Sequence, residues 1–153
     1  MKAKTIIIAA SIALAGIAII GYNKVKTLKA IFDQMTIEPS GIRNFKYTVS
    51  KITFNLDITI TNPTQEAFSV SGASLASLKR VMVYMGDKFI GMATVNLDAI
   101  EIPPQASLTV KNIPLEVATE NAIGLLSVQN LSLDIFNIMA VVDVFGNEYT
   151  IEG

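Results

Sequence analysis

A chain of 153 residues with a hydrophobic fraction of 51% and a mean hydropathy of +0.49 holds one folded domain plus an apolar accessory segment. Neither Cys nor His occurs, which excludes disulfides, thiolate and imidazole metal sites, cysteine nucleophiles, His-dependent triads and the lipidated cysteine of bacterial lipoproteins. The net charge of −1 conceals an asymmetry: residues 1–51 carry 8 Lys and Arg against 2 Asp and Glu, and residues 52–153 carry 4 against 11. A basic leader joined to an acidic domain suits a membrane anchor followed by a separate module, and the acidic part would repel nucleic acid.

In chain order, a basic tail (residues 1–4, with Lys2 and Lys4) opens the sequence. Residues 5–22 then form an uncharged run, TIIIAASIALAGIAIIGY. As a helix these 18 residues span roughly 27 Å, close to the ~30 Å hydrocarbon core of a bilayer. The reading is an uncleaved transmembrane anchor, carried by Thr5, Ile8, Ile12, Leu14, Ile17 and Ile20, with Tyr22 at the interface beside Lys24, Lys26 and Lys29. Ala13-Leu14-Ala15 has the small-x-small form of a signal-peptidase site, but cleavage there would leave an apolar new terminus, GIAII. Lysines flank both ends, so orientation stays open.

Residues 23–36 change pattern. Val25, Leu28, Phe32 and Met35 step by three and four, while Lys24, Lys26, Lys29 and Asp33 point elsewhere, as in an amphipathic juxtamembrane helix. The stripe either docks on the domain of the same chain or faces lipid or a partner. Residues 37–41, with Pro39 and Gly41, read as the linker that ends the helix, leaving residues 42–153 as the folded domain.

That domain is expected to be mainly β, an antiparallel sandwich with one short helix. Its best-defined strand is ITFNLDITITNPT from Ile52, where Phe54, Leu56, Ile58 and Ile60 alternate with Asn55, Asp57, Thr59 and Thr61. Pro63 stops it, because proline has no N–H for a sheet ladder. A lead-in strand occupies residues 43–51, and a broken strand around Gly72 occupies residues 68–78. Residues 80–85 and 89–97 flank Gly86-Asp87-Lys88 as a hairpin. Residues 107–117 alternate again, with Pro114 marking an edge or a bulge. A helix over residues 119–130, capped by Thr119, precedes a long strand over residues 133–145 and a final one over residues 148–151.

Asn62-Pro63 closing an alternating strand, Tyr84 with Gly86 and Gly91 in VYMGDKFIG, and Pro103-Pro104 leading to a strand from Ser107 form a recognisable series. This series resembles the water-stress and hypersensitive-response (WHy) domain of the group-2 late-embryogenesis-abundant family, over residues 42–151. The resemblance implies a seven-stranded fibronectin-like or immunoglobulin-like sandwich with a short helix, and no catalytic or metal residues to carry over. Many members of that family sit behind a single N-terminal membrane helix; the amphipathic stalk departs from the pattern.

Candidate chemistry is sparse. Asp87, Asp98 and Glu101 are near one another in sequence and could be imagined as a calcium site or an acid/base pair, but isolated loop carboxylates are ordinarily solvated. Asp57 and Asp143 are expected on the solvent face of strands, where charge discourages edge pairing. Asn130-Leu131-Ser132 matches a glycosylation sequon. No nucleophile has a base to activate it. The expectation is therefore a non-enzyme with no cofactor, no metal, no small-molecule substrate and no nucleic acid. Its partners would be a lipid bilayer and other proteins of a membrane-associated assembly, with homo-oligomers included. Two settings suit this layout, both with a single N-terminal span. One is a stress-protective or envelope-associated interaction module; the other is a structural virion protein linking an internal membrane to the capsid of a membrane-containing bacteriophage.

Overall fold

A computed structural model describes residues 22–69, 76–121, 132–144 and 146–153. The anchor residues Thr5, Ile8, Ile12, Leu14, Ile17 and Ile20 lie outside the described residues, as do Gly72 and residues 122–131, which hold most of the expected second helix and the first two residues of the sequon. Among the described residues, no helix is long and apolar enough to cross a membrane.

Helix α1 covers Tyr22–Phe32, somewhat shorter than the stripe suggested. Lys29 and Asp33 pair at 2.9 Å along its exposed side, and the Gln34 side-chain amide donates to the Ala30 carbonyl at 3.1 Å, occupying one of the acceptors a helix end leaves open. Leu28, Ile31, Phe32 and Met35 are buried, so the apolar stripe is turned into the domain's own core; the side chain of Val25 is outside the described residues. The Phe32 ring meets Phe68 edge-on at 5.0 Å and Tyr149 at 5.3 Å.

The expected linker at residues 37–41 is corrected by the structure. After a turn at Asp33-Gln34 the chain enters strand β1 (Thr36–Tyr47), and Ile37 is fully buried. Proline is tolerated here because β1 is an edge strand, with an extra residue, Ser40, between Pro39 and Gly41. What reads as a break in sequence is a bulge in a strand.

Among the described residues eight further strands follow: β2 (Lys51–Asn62), β3 (Phe68–Ser69), β4 (Ala76–Met85), β5 (Lys88–Asp98), β6 (Glu101–Ile102), β7 (Ala106–Ala118), β8 (Phe136–Val144) and β9 (Asn147–Glu152). They form an antiparallel three-stranded sheet in the order β1-β2-β7, an antiparallel four-stranded sheet in the order β5-β4-β8-β9, and the small β3-β6 pair. The mainly β, antiparallel expectation therefore holds. The hairpin turns at Gly86-Asp87, and Pro114 sits on the edge strand β7. Of the residues expected in the second helix, Thr119–Asn121 form a short 3-10 turn.

One core lies between the two larger sheets. Ile52, Phe54, Leu56, Ile58 and Ile60 of β2 and Ile113, Leu115 and Val117 of β7 supply one side. Val81 and Val83 of β4, and Phe136, Ile138, Ala140, Val142 and Val144 of β8, supply the other. The Phe54 and Phe136 rings meet across the gap at 6.3 Å. The core residues of β2, β7 and β8 fall at alternate positions, which is how two sheets share a layer of side chains. Gly91 permits β5 to approach β7: a Cβ there would stand 3.0 Å from a Val117 methyl and 3.4 Å from the Glu116 carbonyl oxygen.

Candidate functional site

The end of β2 carries the most elaborate polar arrangement. Asn62 has 0% exposure, and burial of a bare amide is costly unless its groups are paired. Its Nδ2 donates to the carbonyls of Glu66 (2.7 Å), Ile102 (3.2 Å) and Pro103 (3.2 Å), while its Oδ1 accepts from the Thr64 N–H (3.0 Å) and hydroxyl (2.7 Å). The Gln105 N–H donates to the Thr64 carbonyl at 3.0 Å. An Asx turn at Asn62-Pro63-Thr64 thus ties the loop after β2 to β6 and to the start of β7. Between this loop and α1 lies an open cleft of about 480 Å³, lined by Lys26, Ala30 and Gln34 on one wall and Pro63, Gln65 and Glu66 on the other. One cation and one carboxylate flank it, among amides and small side chains.

Asp57 holds the second arrangement, and its placement corrects the expectation of a solvent-facing, edge-guarding charge. It sits in the central strand of the three-stranded sheet with 3% exposure. Both neighbouring strands bulge opposite it: β1 at Ser40, and β7 where Lys111 and Asn112 face a single residue of β2. The bulges fold backbone and side chains over the carboxylate. The Asn112 N–H donates to Oδ1 at 2.8 Å, with Asn112 in the left-handed region at φ 59°, and Arg43 pairs with Oδ2. Gly41 leaves the room, since a Cβ there would stand 3.1 Å from Oδ2. The Asn112 N–H and then the Arg43 guanidinium hold the Asp57 carboxyl below the ordinary carboxylate range, against the opposing effect of burial.

Asp143 is likewise on an inner strand, β8, and accepts the Gly146 N–H at 3.0 Å across the final turn. Its role is in the turn, not at an edge. Asp87 lies at the β4–β5 turn, whereas Asp98 and Glu101 lie near the far end of that hairpin; among the described residues no three acidic side chains group closely enough to hold a metal ion.

The motif residues do not converge. Asn62 and Pro63 lie at the α1 end, Tyr84 and Gly86 at the opposite end of the β4–β5 hairpin, and Gly91 against β7 between them. Each answers a different packing need. Two features escaped sequence reading: Ile31, which joins the buried stripe, and the Arg43–Asp57 pair, whose partners are separated by a hairpin. The first was legible in the three-and-four spacing.

Comparison with known protein families finds no match, and comparison with curated proteins finds no relative. Among solved structures, one described as a protein from Archaeoglobus fulgidus is similar to 75% of this chain and 90% of its own, at 11% identity and a TM-score of 0.37.

Proposed function

We propose that the protein is a non-enzymatic, membrane-anchored β-sandwich of the late-embryogenesis-abundant-like type, acting by binding other proteins at a membrane. The reading of the sandwich as fibronectin-like is supported by its division into three and four main strands, in the orders β1-β2-β7 and β5-β4-β8-β9. The family reading rests on the motif residues Asn62, Pro63, Tyr84, Gly86 and Gly91.

The observation that carries the proposal is the continuity between α1 and the fold. Leu28, Ile31, Phe32 and Met35 bury the helix against the core, and a single turn joins it to β1. A membrane helix over residues 5–22 would pass into α1 and hold the sandwich at a fixed orientation, with no flexible tether. Such rigid coupling also favours the second reading, a structural component that spaces a bilayer from another protein layer, as in the virion of a membrane-containing bacteriophage.

The test is the intact mass and stoichiometry of the full-length protein, purified in mild detergent from its native membrane or particle. An uncleaved chain that resists alkaline carbonate extraction is the expected result. A soluble species beginning near Gly16 would overturn the anchor. A fixed, symmetric copy number would select the structural reading over the loosely associated stress-type module.

A further inference from the structure

Strand register assembles on the outer face of the four-stranded sheet something no single strand contains. Met82 pairs directly with Met92 on one side and with Met139 on the other, so three methionines stand in one cross-strand row. In the adjoining row Tyr84 pairs with Phe89 and Asn137, and the Tyr84 and Phe89 rings meet edge-on at 5.6 Å. The Tyr84 hydroxyl lies 3.9 Å from the Met82 sulfur, which joins the rows. Among the described residues, none of these five apolar side chains belongs to the core or packs against it, and Met92 and Phe89 are 48% and 46% exposed.

Two sides of this patch are acidic. Glu152 pairs with Met139 and continues the methionine row on β9. Two rows away, Asp98, Ser77, Asp143 and Glu148 align across the sheet. Between them Arg80 supplies the one base in these rows, and it is held by Glu148 at 2.8 Å. Four carboxylates, one of them held by Arg80, therefore flank soft, adaptable apolar side chains on the β9 side and beyond the Arg80 row, while Lys88 stands at the Phe89 end. With strands ~4.8 Å apart and alternate residues ~7 Å apart, the apolar rows measure roughly 10 Å by 7 Å between centres. That is far below the ~800 Å² per partner of a standard stable interface. The patch suits a short segment better than a second copy of the chain.

We propose that this face docks a short basic amphipathic peptide segment, its apolar side chains on Met82, Met92, Met139, Tyr84 and Phe89 and its Lys or Arg residues toward Glu152, Asp143 and Asp98. The proposal deepens the binding role argued above and rests on it. The test reads the face and not the anchor, so the two fail separately.

Full-length protein labelled at its methionine methyl groups, in nonionic detergent, is titrated with a peptide of about ten alternating Leu and Lys residues, long enough to cross the sheet. The expected result is movement of the Met82, Met92 and Met139 signals, while the buried Met35 stays fixed. The matching Leu/Glu peptide has no effect. Met82→Lys and Met92→Lys, the latter at the more exposed position, each weaken binding about tenfold, and Glu152→Lys weakens it about threefold with a shallower salt dependence. Because every variant carries the same detergent, partitioning of the peptide into micelles cancels. Equal binding by wild type and both methionine variants overturns the proposal, as does equal binding of the acidic peptide. Methyl signals that move with protein concentration alone assign the face to a second copy and overturn it too.

Discussion

The outer faces of the two large sheets differ sharply, although the same alternation builds both. On the three-stranded sheet β2 and β7 present hydroxyls to each other: Thr59 meets Thr109 at 3.1 Å and Thr61 meets Ser107 at 2.8 Å. Lys51 pairs with Glu116 at 2.9 Å, and Asp57 is enclosed by Arg43 and Asn112. These polar groups find their partners within the sheet. The four-stranded sheet instead sets methionines and aromatics on its outer face, with carboxylates on the β9 side and in the row beyond Arg80. Since cross-strand pairs are the unit that stabilises a sheet, one face spends its pairs on internal contacts and the other leaves apolar area open to contact from outside.

Breaking the polar side is expected to have the largest effect. Asn62→Ala would leave buried carbonyls and the Thr64 N–H without partners at the end of β2, with an expected loss of about 3 kcal/mol in a denaturant melt. If the loss stays within about 0.5 kcal/mol, the Asx turn does not hold the β2 end to β6 and β7.

Asp57 sharpens the contrast through pH. Because its folded-state pKa lies below the ordinary value, its stabilisation is fully present above the usual carboxylate range and is lost as pH falls through the folded value. Asp57→Asn should cost on the order of 2 kcal/mol near neutrality, where Arg43 loses its charge partner. The same variant should flatten the fall in Tm below about pH 4. Parallel acid profiles for wild type and variant would show that the enclosed carboxylate is not the group coupled to folding.

The smallest stability effect belongs to the apolar face. Met82→Thr combined with Met139→Thr should leave the unfolding free energy within about 0.5 kcal/mol of wild type, since neither side chain joins the core, yet abolish capture of the basic peptide. A loss of several kcal/mol would mean that the methionines hold the sheet together, and the difference between the two faces would then be one of packing only.

Particular elements show where sequence reasoning reached and where it stopped. The inner face of β2 was legible from Phe54, Leu56, Ile58 and Ile60, the β4–β5 turn from Gly86-Asp87, and the β2 terminus from Asn62-Pro63, because each signal is local. Residues 37–41 misled for the same reason. Pro39 and Gly41 are local breakers, and only the neighbouring strand shows that they form a bulge at a sheet edge. Alternation alone put Asp57 on the outer face. Its burial came from bulges on both flanking strands, which place Ser40 on one side and Asn112 on the other.

By itself, then, the sequence determined the mainly β class, the alternating faces of its strands, the amphipathic face of the leading helix and the absence of Cys and His chemistry. Propensity and period act within a few residues, and all of these are properties of that range. Tertiary structure alone decided which strands became neighbours. Met82 and Met139 lie far apart in the chain but directly opposite in the sheet, and Arg43 reaches Asp57 only across a hairpin. Period two says which face a residue takes, but register between distant strands is set by the common core, and it is register that built both the enclosed carboxylate and the open methionine row.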